Sequence, residues 1–169
     1  MQTVLIWDRF IRTFHWSAVA IFFLNRFVIE DDIHDYLGYF LLGLLVARVI
    51  WGFCGSQNAR FTSFFPTPSG IKQHLQQVKS KSVKPTEGHN PLGGIMIFLL
   101  LLLLFTVCIT GWMMSLDQFW GVEWVEDMHE ITSNIVLVAA FIHVVAILVM
   151  SKLTKVNLIK TMITGERKV

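Results

Sequence analysis

Charge is scarce in this chain. Asp, Glu, Lys and Arg make up only 15% of its 169 residues, 54% are hydrophobic, and the mean hydropathy is +0.58. A soluble domain of this length needs more charged surface than that, so the composition indicates an integral membrane protein. Cysteine is nearly absent: Cys54 and Cys108 fall at or inside apolar stretches, which argues against a disulfide framework and against a metal knuckle. The four prolines, Pro66, Pro68, Pro85 and Pro91, all lie in one region and leave the long apolar runs unbroken. The opening MQTVLIWDRFIRTFHW lacks the small-residue cleavage site of a signal peptide, and the apolar stretch after it carries a histidine and an arginine, so it is read as a retained span. No internal repeat and no second domain is visible. Residues 1–169 are expected to form a single transmembrane domain.

The apolar runs place spans at about 10–29, 34–53, 93–114 and 131–150. The first is interrupted by Asn25 and Arg26, but an arginine this near an interface can snorkel. The second follows the acidic cluster Glu30, Asp31 and Asp32, which suits a helix N-terminus. A connection at 54–92 separates spans two and three, and its polar stretch SGIKQHLQQVKSK suits a short surface helix. The third span contains no histidine and reads as scaffold. The expected fold is therefore an all-α integral membrane protein, a four-transmembrane-helix bundle.

Charge sets the orientation. The N-terminal stretch, the 54–92 connection and the C-terminal tail carry every basic residue except Arg26 and Arg48, and only the acids Asp8, Glu87 and Glu166. Glu30, Asp31, Asp32, Asp35, Asp117, Glu123, Glu126, Asp127 and Glu130 lie at the opposite helix ends. The lysine and arginine bias puts both termini and the long connection in the cytoplasm.

With that topology the histidines sort by depth. His129 and His143 are fourteen residues apart, which on a helix is one face and a height difference of about 21 Å. One helix thus offers two imidazoles near opposite sides of a hydrocarbon layer about 30 Å thick, as a chain must to hold two redox centres one above the other. His15 matches His143 at the inner level, and His34 matches His129 at the outer surface. Two depth-matched pairs suit bis-histidine ligation of haem iron, which closes both axial positions and favours outer-sphere electron transfer. A single histidine in a bundle is more often a packed, hydrogen-bonded side chain; four in two matched pairs shift the balance.

Arg48 lies fourteen residues after His34, on the same face and at the inner level. A buried arginine in a membrane helix needs an anion, and haem propionates are the expected partner, with Arg12 and Arg9 as further candidates; the bland alternative is that Arg48 snorkels to the interface. Gly38 and Gly43 follow His34 on the same helix and suit either a porphyrin or close helix packing. Of the remaining histidines, His74 reads as surface. His89, in GHNPLG, is either a helix-entrance residue or a contact to a propionate or quinone. Trp16 and Trp51 fit an exchange site near the inner haem as well as an interfacial belt.

The stretches WDRFIRTFHW, HDYLGYFLLGLLVARVIWGFCGSQNARF, GHNPLGGIMI, TGWMM and MHEITSNIVLVAAFIHVVAILVMS resemble the bacterial cytochrome b561 family and the related b-type cytochrome subunit of nickel-iron hydrogenases. The resemblance covers essentially the whole chain. It implies a four-helix cytochrome of the bacterial inner membrane with two non-covalent b haems, exchanging electrons between ubiquinone or menaquinone and a partner, with His15, His34, His129 and His143 at the family's ligand positions. The lack of a Cys-x-x-Cys-His sequence agrees, because it excludes the usual c-type attachment. The chain departs from the hydrogenase subunit in its short outer loops, and some short relatives resemble partners of periplasmic cytochromes c or a superoxide oxidase that reduces ubiquinone.

The outer surface chooses among these. Nine acids against Arg26 alone is a poor mouth for an anionic substrate such as superoxide and a good one for a cationic c-type cytochrome or similar electron-transfer protein. Membrane lipid accounts for the basic inner face. A homodimer stays open, and no nucleic-acid partner is expected. A channel or transporter would need polar groups along a path, which spans three and four lack. No catalytic residue is expected.

Overall fold

A computed structural model describes residues 3–29, 31–83 and 88–168. Glu30, Lys84, Pro85 and Glu87 lie outside the described residues. The elements in order are β1 (Thr3–Leu5), α1 (Arg9–Phe27), α2 (Asp31–Cys54), α3 (Pro68–Lys79), α4 (Pro91–Met114), α5 (Glu123–Thr154), α6 (Leu158–Thr164) and β2 (Glu166–Lys168), with three short 3-10 turns between the helices. Among the described residues three helices are long and apolar enough to cross a membrane: Asp32–Cys54, Pro91–Met114 and Glu123–Thr154, with mean hydropathies of 1.9, 2.9 and 2.5. The first helix, 19 residues long with Arg9, Arg12, Asn25 and Arg26 among them, is not one of the three. The segment expected at 131–150 extends to 32 residues, Glu123–Thr154, so His129 sits inside the second turn of α5 and not at its start.

Close backbone packing runs from α1 to α2, from α2 to α4 and from α4 to α5. The core between α1, α2 and α4 is built from Ala18, Ile21, Leu41, Leu45, Leu101, Val107 and Cys108, with Leu45 fully enclosed. The opposite faces carry large apolar side chains outward, Leu102, Val138 and Phe141 among them, as a bundle immersed in hydrocarbon requires. In sequence order α5 closes the bundle against α4, while its other side faces α1 and α2 across a wider gap.

The helix starts follow from local chemistry. Asn90 caps α4 by accepting from the Gly93 N–H, with Pro91 at the first helical position, and Thr67 and Pro68 do the same for α3. Asp8 caps α1 through the Ile11 N–H and also accepts from the Trp51 indole N–H and the Ser56 hydroxyl, so it latches the start of α1 to the end of α2. Burial raises its carboxyl pKa, but these hydrogen bonds outweigh that and hold it below its ordinary value. A depressed carboxylate stabilises the fold above its unfolded pKa and loses that contribution as pH falls through the folded one. Asp8→Ala is therefore expected to cost about 1 kcal/mol near neutral pH, and the difference from the parent should shrink below about pH 4; detergent melting curves at several pH values check both.

The sequence reading did not anticipate the ends of the chain. β1 and β2 pair antiparallel, Thr3 opposite Lys168, Val4 opposite Arg167 and Leu5 opposite Glu166, and the Ile6 and Trp7 N–H groups donate to the Gly165 carbonyl. Gly165 has φ +82°, and a side chain there would run into the Trp7 carbonyl 2.6 Å away. Under this ribbon Ile6, Trp7, Ile11 and Ala59 form a second buried cluster. The reading of His74 as a surface residue is also corrected. It is only 4% exposed, because one face of α3 packs against α4, and burial holds its imidazole below the ordinary value.

Candidate functional site

The histidines meet in two places along α5. The His15 and His143 rings, from α1 and α5, have centres 6.4 Å apart with planes inclined at 51°, and the His34 and His129 rings, from α2 and α5, have centres 6.1 Å apart at 64°. These are the helix pairs that α5 faces across the gap. An imidazole–metal bond is about 2 Å and a ring nitrogen lies about 1 Å from its ring centre, so two imidazoles on opposite sides of one metal atom have centres about 6 Å apart. Both pairs match this spacing. Among the described residues no group of three or more His, Cys, Asp or Glu could hold a metal by itself, and a haem needs only two such side chains.

At the outer pair, Gly38, Gly111, Phe22 and Ser133 line a cleft around His34 and His129. A side-chain carbon added at Gly38 or Gly43 would meet nothing within 4 Å, so of the two uses open to these glycines the structure shows free space and not helix packing. Across the mouth, an Arg26 guanidinium N–H donates to the Asn134 side-chain oxygen at 3.1 Å and the Asn25 amide donates to the His34 carbonyl, which tie α1 to α5 and α2. The described acids of this end, Asp32, Asp35, Asp117, Glu123, Glu126, Asp127 and Glu130, are all exposed.

α4, expected to be scaffold, touches the outer pair. Thr110, buried at 5% exposure, lies 3.2 Å from His129 Nδ1, and Gly111 lets that ring approach: a Cβ at 111 would sit 3.1 Å from His129 Cε1. Sequence reasoning missed both residues. The only signal was their place in TGWMM, because which face α4 turns towards α5 is not written in so uniform an apolar run.

At the inner pair, Nδ1 of His15 is buried without a hydrogen-bond partner, and Trp16 packs edge-on at 5.0 Å from the His15 ring. Arg48 is buried, which excludes snorkelling into solvent. One of its terminal nitrogens donates to the Ala59 carbonyl at 3.2 Å, the guanidinium covers the Phe61 ring at 4.9 Å, and Asp8 lies within its electrostatic reach. The other terminal nitrogen is buried with no partner, so the chain itself satisfies Arg48 only in part. Arg12 donates to the Ile163 carbonyl at 2.8 Å and keeps a buried, unpartnered Nε, whereas Arg9 is exposed. His89 belongs to this end: its ring lies 4.4 Å from Trp7 and 5.0 Å from Phe64. Burial, then the fields of Arg48, His143 and His15, push it down to about 3, so it is neutral at physiological pH. Trp51 uses its indole N–H on Asp8, which leaves Trp16, 41% exposed, as the inner tryptophan with surface to offer.

The model of the prokaryotic cytochrome b561 family matches residues 6–165. A protein of Rhizobium leguminosarum bv. viciae, described as a probable Ni/Fe-hydrogenase B-type cytochrome subunit, is 28% identical over 160 residues, which cover 80% of this chain and 67% of the relative. No solved structure matches.

Proposed function

We propose, because this chain belongs to the prokaryotic cytochrome b561 family, that it is a two-haem b-type cytochrome of the bacterial inner membrane, moving electrons between the quinone pool and a periplasmic c-type cytochrome. The observation that carries this reading is the pair of imidazole pairs, at 6.4 and 6.1 Å, towards the two ends of α5. In it, His15 and His143 hold an inner haem and His34 and His129 an outer one. A haem held at each of these pairs would supply a one-electron couple. The residues do the rest. The four imidazoles fix the two levels, Gly38 leaves room beside the outer pair, and the unpartnered nitrogens of Arg48 and Arg12 offer hydrogen bonds to propionates at the inner level.

The topology proposed with this function has four crossings and both termini cytoplasmic. Its support is the terminal ribbon: since β1 and β2 lie side by side, the chain between them crosses a membrane an even number of times. With α2, α4 and α5 as three crossings, α1 supplies the fourth, and its polar residues find uses there. His15 meets His143 at the inner level, Arg12 binds the Ile163 carbonyl, and Arg26 and Asn25 bind neighbouring helices near the outer surface. The basic inner ends then fix the direction.

Quinone, ubiquinone or menaquinone, is assigned to the inner level, where Arg48, the neutral His89 and the exposed Trp16 converge on His15 and His143. Stopped-flow mixing of the haem-loaded protein with a soluble quinol analogue is expected to produce a reduced b-type alpha band rapidly, and an Arg48→Gln, His89→Ala double variant that keeps both haems should be slowed at least tenfold. Unchanged kinetics in that variant would move the quinone elsewhere, and a protein that no quinol reduces would contradict the function. The description of the Rhizobium relative favours one second reading, a cytochrome subunit of a hydrogenase complex; co-purification of a hydrogenase with the tagged chain would select it.

A further inference from the structure

We infer that Thr110 is a positioning residue for the outer haem, acting through His129, and that Gly111 makes its contact possible. The inference rests on the reading of His129 as an axial ligand. A threonine in an apolar helix commonly returns its hydroxyl hydrogen to the carbonyl one turn back, and Thr110 does so, with its Oγ1 2.9 Å from the Thr106 carbonyl and 3.1 Å from that of Val107. Its hydrogen is thus engaged within α4, and its oxygen remains as an acceptor. His129 Nδ1 lies 3.2 Å from that oxygen. With that hydrogen engaged, Nδ1 is left to act as the donor in this contact, and the Val107 carbonyl beside Thr110 is a second acceptor for its proton. The lone pair of the neutral ring is left on Nε2, the nitrogen free to meet a metal.

The contact has two consequences. It fixes the ring's tautomer and rotation before any haem arrives, in a place where the ring cannot drift towards α4 because it already lies against Gly111. It also makes the imidazole a stronger donor, since an N–H that is hydrogen-bonded pushes charge to the opposite nitrogen and favours the more positive metal state. At the inner level, by contrast, His15 Nδ1 is buried without a partner. The two ends of the bundle are therefore unlike, and Thr110 is a chain-encoded device that lowers the outer potential.

Redox titration of the purified full-length protein, with the two haems resolved by their low-spin electron paramagnetic resonance signals, tests this. The signal missing from His129→Ala identifies the outer haem. In Thr110→Val the outer midpoint should move to a more positive potential and the outer signal should shift, while the inner haem stays put; Thr110→Ser should restore both. Selective loss of the outer haem in Thr110→Val, with Ser restoring it, supports the same role. An unmoved outer potential, an equal change at both haems, or a failure of Ser to restore would overturn the inference. If His129→Ala itself removes no haem, the ligand reading fails first; if it removes the outer haem and Thr110→Val changes nothing, only this inference fails.

Discussion

His129→Ala is expected to leave a protein that folds, reaches the membrane and binds about half of the parent's haem. The reason lies in the bundle's layering. His129 approaches His34 at one end of α5 and has no part in the inner pair, where His143 meets His15 fourteen residues further along the same helix. The core that joins α1, α2 and α4 contains none of the four histidines, so removal of one imidazole leaves Ala18, Leu41, Leu45 and Leu101 in contact. The cost should fall on the ligand site. Haem content per chain by pyridine haemochrome, together with the resonance spectrum, reads the result: one low-spin signal disappears and the other keeps its position. His15→Ala should produce the complementary loss. A His129→Ala protein with its full haem complement would require another residue to ligate at the outer end.

The second large effect concerns docking. The triple variant Asp32→Asn, Glu126→Gln, Asp127→Asn should slow bimolecular electron transfer with a cationic periplasmic cytochrome about tenfold at low ionic strength, and most of the salt dependence should go with it. All three side chains are exposed, near the helix starts that carry His34 and His129. On the proposed function they flank the edge through which an electron would enter or leave the outer haem. Their field acts at a distance and is screened over about 8 Å at physiological salt, so a docking role shows as a rate that falls with added salt in the parent and scarcely changes in the variant. Acids that serve only the positive ends of helices would give a different result: slightly lower thermal stability, the same haem spectrum, and an unchanged rate and salt slope.

The pairing of the rings was legible because helix geometry is rigid. A fixed rise and turn per residue turn the spacings 129 to 143 and 34 to 48 into faces and depths before any coordinates are known, and the structure brings the depth-matched rings together. The first helix was legible only in part. Its Arg9, Arg12, Asn25 and Arg26 lower its hydropathy, and what those groups bind is written on other elements: Arg12 on the carbonyl of Ile163 and Arg26 on Asn134. The terminal ribbon joins three-residue strands from opposite ends of the chain, too short for any period to show. His74 lies in a polar stretch, and only the packing of α3 on α4 shows that its face turns inward. Thr110 eluded the sequence for a related reason. A helix this uniformly apolar has no moment to say which way it faces, so a threonine in it reads as an ordinary back-bonded hydroxyl until its neighbour on α5 is seen.

The central claim is that one chain holds two b haems, each between a pair of histidines. Quantitative haem and protein analysis of the full-length protein, purified from haem-replete cells in mild detergent, tests it most directly. The account predicts two haems per chain with a reduced b-type alpha band; a fully loaded protein that never exceeds one haem per chain, or one that is colourless, would contradict it.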